Sequence, residues 1–278
     1  MQLKTLFNIG ISALNTETPS LDARLLLQHA ANISQEIIYL QPDLEISETV
    51  ANNYLKLIDQ RKNNQPVAKI IGSKSFWLDD FIVNNHTLDP RPDSEVIIET
   101  AIKLLPNKHN KYKFLDLGTG SGCLLLSLLR EFPHSNGLGI DISIEALKVA
   151  QANADLLGLS DRTKLTKQNW ADSLDEKFDL IISNPPYIPS AEISSLSPEV
   201  KFHDPLLALD GGYDGLDPYR YLTKQISLLL KPNAYAIFEF GFGQAEAIRR
   251  TFEESGYLIH QMLLDLNNIE RAIVIGNE

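Results

Sequence analysis

The chain is poor in cysteine, in long apolar runs and in positive charge, and each shortage excludes something. One cysteine, Cys123, among 278 residues rules out an internal disulfide. It reads as a small buried side chain in a reducing compartment. No apolar stretch approaches the roughly 18 residues that a membrane-crossing helix needs, so no membrane partner is expected. The opening Met1-Gln2-Leu3-Lys4-Thr5-Leu6-Phe7-Asn8 has one lysine and a polar break, unlike an export signal, and a cytoplasmic location is the expectation. The 25 Lys and Arg are outnumbered by 36 Asp and Glu, for a net charge of −11. Duplex binding rests on neutralising phosphates with Lys and Arg, so an acidic chain without a basic stripe is not expected to take nucleic acid directly. Six histidines are scattered without ligand spacing, and no metal site is expected. Repeats and low-complexity segments are also lacking. Nothing in the pattern demands a dimer, so a monomer is expected.

What is present is ordinary core material: 44% hydrophobic and 22% charged residues, enough for one large domain or two unequal ones. The first part reads as helical. Leu21, Leu25 and Leu26 recur at helical spacing over Ser20 to Ala31. Ser47 is a candidate N-cap for a helix to about Lys62, with Ile46, Val50, Tyr54 and Ile58 near one face. No catalytic group is evident there. Val67 to Val83 clusters apolar and aromatic residues with Gly72, Asn84 and Asn85, which predicts short strands or a hairpin between two domains. Leu88 to Glu95 is too proline-rich for a helix interior, and a helix can begin near Ser94.

From Lys113 onward strands and helices alternate. Strands are expected at Lys113–Leu117, Gly137–Asp141, Lys164–Lys167, Phe178–Ser183, Tyr235–Phe240, Tyr257–Leu264 and Ala272–Ile275. Helices are expected at Cys123–Glu131, Ile144–Leu157, Tyr219–Leu230 and Gln244–Ser255. Alternation of this kind implies an α/β domain with a mostly parallel sheet, and the last two strands, joined by a short polar turn, should pair antiparallel. The expected organisation is a helical domain over 1–65, a β-hairpin linker over 66–88 and an α/β domain over 89–278.

Phe114-Leu115-Asp116-Leu117-Gly118-Thr119-Gly120-Ser121-Gly122 ends a strand and opens a helix. Such a place at the carboxyl end of a strand is where doubly wound sheets bind ligands, and glycine lets backbone approach a ligand closely. The spacing is G-x-G-x-G, not the G-x-G-x-x-G of dinucleotide binding, which counts against a nicotinamide oxidoreductase. A tight structural turn is the plainer alternative. Asp141 ends the next strand, where a carboxylate can accept from both hydroxyls of a ribose; it could instead cap the following helix. Trp170, after the third strand, could pack on an adenine face or serve as a rim residue.

Asp179-Leu180-Ile181-Ile182-Ser183-Asn184-Pro185-Pro186-Tyr187 is the most informative stretch. The prolines fix their own φ and bias the residues before them toward extended geometry, giving a stiff loop with free carbonyls. The Asn184 side-chain carbonyl and the Pro185 backbone carbonyl can together receive both hydrogens of an –NH₂ group, while Tyr187 stacks on the plane that carries it. This suits methylation of an amide or amino nitrogen, whose delocalised lone pair must be aimed and whose developing charge must be stabilised.

The chain resembles the HemK/PrmC family, the N5-glutamine methyltransferases of peptide-chain release factors. The resemblance runs through Pro66 to Gly72, Phe76-Trp77, Pro90-Arg91-Pro92-Asp93-Ser94-Glu95, Asp116 to Gly122, Asp141, Asn184 to Tyr187, and Asp204 to Gly212. It implies a Rossmann-like class I S-adenosylmethionine methyltransferase domain behind a small helical bundle that recognises the substrate. It implies S-adenosyl-L-methionine held by Asp116, Gly118, Thr119, Gly120, Ser121, Gly122, Asp141, Trp170 and Asn184. Asn184, Pro185, Pro186 and Tyr187 would take the substrate glutamine, with Asn184, Pro185 and Tyr187 carrying the catalysis. Asn169 stands where the family has Asp, and Arg91 either orders its segment or pairs with a carboxylate. A nucleic-acid amino-group methyltransferase and a non-catalytic S-adenosylmethionine binder are the rival readings.

Overall fold

In the computed structural model, which describes residues 1–265 and 267–277, the leucines of the N-terminal part fold as five helices: Leu3–Ala13, Pro19–Ala31, Gln35–Leu40, Glu48–Lys62 and Val67–Ile71. The chain divides into two compact units. The first is Met1–Ser73 with Pro198–His203; the second is Lys74–Ser197 and the chain from Asp204.

Within the first unit Ser47 caps its helix, its hydroxyl accepting from the Val50 N–H at 3.4 Å, and Ile46, Tyr54 and Ile58 are buried. The Pro19–Ala31 helix is turned relative to the expected leucine stripe. Ala23, Leu26 and Leu27 face the core, whereas Leu21 is 41% exposed. The cause is Asp22, which is buried and accepts from Arg61 Nε at 2.7 Å and from the Thr16 and Thr18 hydroxyls at 2.9 and 3.1 Å. Holding Asp22 inward carries Leu21 outward. Arg61 also pairs with Glu199 at 2.6 Å, and Lys69 donates to the His203 carbonyl, so the Pro198–His203 helix belongs to this unit.

Val67–Ile71 is helical where an extended segment was expected. Pro66 at the N-cap and Gly72 at the C-cap, the latter in the left-handed region (φ 80°), supply start and stop signals that outweigh the β-branched composition. A hairpin does follow, β1 (Ser73–Phe76) with β2 (Asp79–Ile82). At its turn Trp77 sits at φ 55°, held there by its N–H on Glu95 (2.8 Å) and its indole N–H on Glu131 (2.9 Å).

The second unit is built on β3 (Lys113–Leu117), β4 (Asn136–Asp141), β5 (Thr163–Lys167), β6 (Phe178–Ser183), β7 (Leu230–Glu239), β8 (Tyr257–Leu264) and β9 (Glu270–Asn277). They form one sheet in the order β5-β4-β3-β6-β7-β9-β8, with β3 to β7 parallel and β9 antiparallel to both its neighbours. The period-2 alternation of side chains gives the sheet two apolar faces. Leu115, Ile181 and Phe238 join the core under Asp217–Leu222, Ile226–Leu229 and Ala245–Glu253. Phe114, Leu180, Ile182 and Ile237 join the core under Glu95–Leu104 and Cys123–Glu131. Strand order reverses beside β3, so the crevice outside the carboxyl ends of β3, β4 and β6 is where this Rossmann-like topology places ligands.

One expected helix, Tyr219–Leu230, is two short ones, Asp217–Leu222 and Ile226–Leu229, and Leu230 already opens β7. A side chain from β8 occupies the break. The Tyr257 hydroxyl donates to the Thr223 carbonyl at 2.6 Å and accepts from the Ser227 N–H at 3.0 Å. Those two groups are separated by four residues and would otherwise bond each other, so a side chain from β8 has inserted into the helical ladder. Among the described residues no helix is long and apolar enough to cross a membrane.

Candidate active site

The glycine loop leaves β3 with Gly118, Gly120 and Gly122 all at positive φ (77°, 55° and 81°). At Gly122 the requirement is double. It caps the helix Cys123–Glu131, and an added Cβ would lie 3.1 Å from Leu126 and 3.3 Å from Ala150. The Gly118 and Thr119 N–H groups both donate to the Ile140 carbonyl at 2.8 Å, which ties the loop to β4. The Gly120 N–H donates to Asp141 Oδ2 at 2.9 Å, and the Ser143 N–H to Asp141 Oδ1 at 2.8 Å. Ser143, not Asp141, caps the helix Ile144–Leu156, accepting from the Ala146 N–H at 3.2 Å. The Ile142 N–H also bonds this carboxylate, and of its roughly four acceptor positions three are then used, leaving room for another donor.

Asp116 stands behind this loop. It is buried, takes the Thr119 hydroxyl on Oδ2 at 2.7 Å, and among the described residues has no partner for Oδ1. Burial pushes its carboxyl up to about 7, the Thr119 hydrogen bond opposing and the Asp141 charge adding to the rise. Trp170 sits at φ 48°, with its ring beside Gly118: an added Cβ there would lie 3.7 Å from the indole. Asn169 is exposed, its amide donating to Asp172 at 3.3 Å.

The Asn184-Pro185-Pro186-Tyr187 loop leaves β6, where the Ser183 hydroxyl donates to the Leu117 carbonyl at 2.6 Å and locks the ends of β6 and β3 together. A glycine segment presses against it. The Gly211 N–H donates to the Ile188 carbonyl at 2.9 Å, and a Cβ on Gly211 would come within 2.8 Å of both the Pro186 carbonyl and Tyr187 Cα. Gln244 holds the Tyr187 carbonyl at 2.8 Å and accepts from the Gly241 N–H at 2.8 Å. Burial raises the Tyr187 phenol well above its ordinary range, with the nearby Glu239 charge adding to it. Arg91 pairs with buried Asp204 at 3.0 Å.

The two loops open on one cavity of about 820 Å³. Gly118, Thr119, Gly120, Ser121, Asp141, Trp170, Asn184 and Pro186 line it; Asp116, Gly122, Pro185 and Tyr187 are not among its lining. The lining suits an adenosyl group: a loop with glycine at every second position, a carboxylate, and an indole face. Sequence reasoning assigned no role to Ser94, Glu239, Gly211 or Gln244. The one signal for Glu239 is a lone acid in the apolar run Ala236-Ile237-Phe238-Glu239-Phe240.

Residues 108–261 match the family model described as a methyltransferase domain, and residues 9–72 match that described as a PrmC N-terminal domain. The release factor glutamine methyltransferase of Rhodospirillum rubrum is 43% identical over 258 residues, spanning 93% of this chain and 79% of the relative. That of Caulobacter vibrioides is 43% identical over 262 residues, spanning 93% and 89%. A methyltransferase structure from Pyrococcus furiosus shares the fold, with a TM-score of 0.53, 16% identity, and coverage of 81% of this chain and 98% of that one. With its fold, site and relatives in agreement, this chain belongs to the release factor glutamine methyltransferase family.

Proposed function

We propose that the protein transfers a methyl group from S-adenosyl-L-methionine to the side-chain amide nitrogen (N5) of the glutamine in the Gly-Gly-Gln loop of peptide-chain release factors. The observation that carries this reading is that the Asn-Pro-Pro-Tyr loop and the glycine loop share one cavity, with Asn184, Pro186, Gly118 and Gly120 all in its lining.

Bound there, S-adenosylmethionine supplies a methyl group already activated by its sulfonium. The residues of the chain bind, aim and exclude. Asp141 would accept from the ribose hydroxyls, Trp170 would pack on the adenine, and the backbone from Gly118 to Gly122 would give close approach, with Asp116 and Thr119 stiffening the loop. The Asn184 side-chain carbonyl and the Pro185 backbone carbonyl receive the two amide hydrogens. Pro186 stiffens the loop, and Tyr187 stacks on the amide plane. Aiming a weak nucleophile and stabilising positive charge as it develops on nitrogen lower the barrier without a strong base, because the proton can leave after attack.

On the same reading the helical N-terminal domain (1–65) grips the release factor, the linker (66–88) joins the parts, and 89–278 holds cofactor and site. The enzyme acts as a monomer in the cytoplasm, on protein and not on nucleic acid. The test is transfer of labelled methyl to purified release factors, with a Gln→Ala change in the Gly-Gly-Gln loop as control. Label on the normal factor alone supports the reading. Label on neither, with label on RNA or DNA, replaces it with the nucleic-acid enzyme.

A further inference from the structure

Two buried polar side chains stand beside the Asn-Pro-Pro-Tyr loop without a part in the chemistry so far. Glu239 ends β7 and Ser94 closes the turn Pro92–Ser94; each is 3% exposed. Ser94 Oγ lies 2.5 Å from Glu239 Oε2, and Asn184 Nδ2 lies 3.4 Å from Ser94 Oγ.

A donor-and-acceptor count fixes what these contacts mean. A serine hydroxyl has one hydrogen. At 2.5 Å from a carboxylate oxygen that hydrogen lies between Ser94 and Glu239, in the stronger, charge-assisted bond. Ser94 then offers Asn184 only lone pairs. A carboxamide presents –NH₂ on one side and C=O on the other, so the group turned to Ser94 is the –NH₂. Glu239 is itself within hydrogen-bonding reach of the Asn184 amide, which strengthens the same orientation. The oxygen is then the end left for a substrate. A reversed carboxamide would set –NH₂ against the –NH₂ of the incoming glutamine, donor against donor.

We propose that Glu239, acting through Ser94, is a positioning residue that fixes the Asn184 carboxamide with its carbonyl oxygen turned toward the substrate amide. The proposal rests on the reading of Asn184 as the acceptor of a substrate –NH₂. It has a signature in pH. Burial pushes the Glu239 carboxyl up to about 7, with Asp93 adding to the rise and Ser94, Arg271 and Asn184 opposing it. Once protonated, Glu239 donates to Ser94, the Ser94 hydrogen is released toward Asn184, and the reversed carboxamide becomes the favoured one. The other groups facing Glu239 are Cys123 on the helix after the glycine loop, Tyr187, and Tyr219 on Asp217–Leu222. All three are raised by burial and stay neutral between pH 6 and 9, so none competes for this titration.

The experiment measures kcat for methyl transfer to a purified release factor from pH 6 to 9 with S-adenosylmethionine saturating, and the comparison with Glu239→Gln separates Glu239 from Asp116, which titrates in the same range. Ser94→Ala and Glu239→Met should lower kcat about tenfold, a hydrogen bond's worth of orientation, while the KM for S-adenosylmethionine stays put. Wild-type kcat should fall on the acid side with a midpoint near the Glu239 value of about 7. Glu239→Gln, which is neutral at every pH, should lose that inflection. Unchanged kcat in Ser94→Ala, or an unchanged inflection in Glu239→Gln, overturns the proposal. A readout independent of turnover is the ¹⁵N-labelled Asn184 side-chain amide in NMR spectra. Its protection from exchange should be lost when Ser94→Ala is combined with Glu239→Met, and retained protection overturns the proposal even if no methyl transfer is seen. Absence of methyl transfer by the wild type, with the amide signature present, overturns the proposed substrate alone.

Discussion

Burial of Asp116 should make the second unit less stable as pH rises toward neutrality, and Asp116→Asn should remove that part of the slope. The ordinary carboxyl value is 3.8 and the folded value is about 7. Between them the folded state holds a proton that the unfolded chain has released. The stabilisation is therefore complete below the unfolded value and is lost as pH climbs through the folded one. From pH 5.5 to 8 the working interval is about 1.5 pH units, worth roughly 2 kcal/mol at ~1.4 kcal/mol per unit. Glu239, raised from 4.5 to about 7, acts with the same sign and similar size. Asp172, Asp210, Asp214 and Asp265 are lowered by hydrogen bonds and act in the opposite sense, but only as pH falls through values below 3.8, outside this interval. Asparagine still accepts from Thr119 yet leaves an amide hydrogen without a partner, a pH-independent cost of about 1–3 kcal/mol. The slope, not the absolute stability, is the observable. Both tryptophans of the chain, Trp77 and Trp170, lie in the second unit, so urea unfolding followed by tryptophan fluorescence reports on that unit. Between pH 5.5 and 8 Asp116→Asn should lose about 2 kcal/mol less than the wild type, whose remaining slope comes from Glu239 and from Asp141, which burial also raises. Equal slopes in the two proteins would refute the reasoning.

Three further outcomes are expected. Arg61→Met leaves Asp22 buried with only two threonine hydroxyls, and should destabilise the first unit by about 3 kcal/mol, read by hydrogen exchange over residues 1–73; a loss under about 1 kcal/mol would count against a structural role for the ion pair. Gly211→Ala drives a Cβ to 2.8 Å from the Pro186 and Tyr187 backbone and should cut turnover at least tenfold with S-adenosylmethionine affinity retained; normal turnover would show that the loop yields cheaply. Asp141→Ala removes the acceptor for both the Gly120 and Ser143 N–H groups as well as for a ribose, and should weaken S-adenosylmethionine binding at least tenfold by calorimetry, an outcome that unchanged affinity would contradict.

Most of the α/β unit was legible because its signals are local. Buried parallel strands read as short apolar runs, so Lys113–Leu117 and Phe178–Ser183 have the bounds that the sequence suggests, as does the antiparallel edge strand Tyr257–Leu264. The departures come from contacts between distant residues. Nothing in Tyr219 to Leu230 announces a break, because the hydroxyl that splits the helix belongs to Tyr257. Nothing in Ser20 to Ala31 says that Asp22 faces inward, because the arginine that holds it is Arg61, 39 residues away. Val67–Ile71 is a different failure. Its apolar, β-branched composition suggested strand, and the proline and glycine bracketing it, which were present in the sequence, decided for helix.

The site divides along the same line. Most of the groups that would touch cofactor and substrate sit in two continuous stretches, Gly118 to Gly122 and Asn184 to Tyr187, with Asp141 and Trp170 added from the ends of the neighbouring strands, since a tight turn at a strand end must be built from neighbours in the chain. The groups that hold those stretches come from elsewhere: Gly211 and Gln244 against Pro186 and Tyr187, Ser94 and Glu239 against Asn184. A motif supplies side chains of the right kind, whereas their orientation is a long-range property. Asn184 makes the difference concrete. Its identity says that a carbonyl and an amino group are both available. Only a hydrogen bond reaching 90 residues back along the chain to Ser94, and from there 145 residues forward to Glu239, decides which of the two meets the substrate. Ser94 lies in a motif segment, but its role, and Glu239 altogether, are what a search confined to motifs passes over. In this chain they are marked by a charge buried at the end of an apolar strand, where the cost of burial requires a reason.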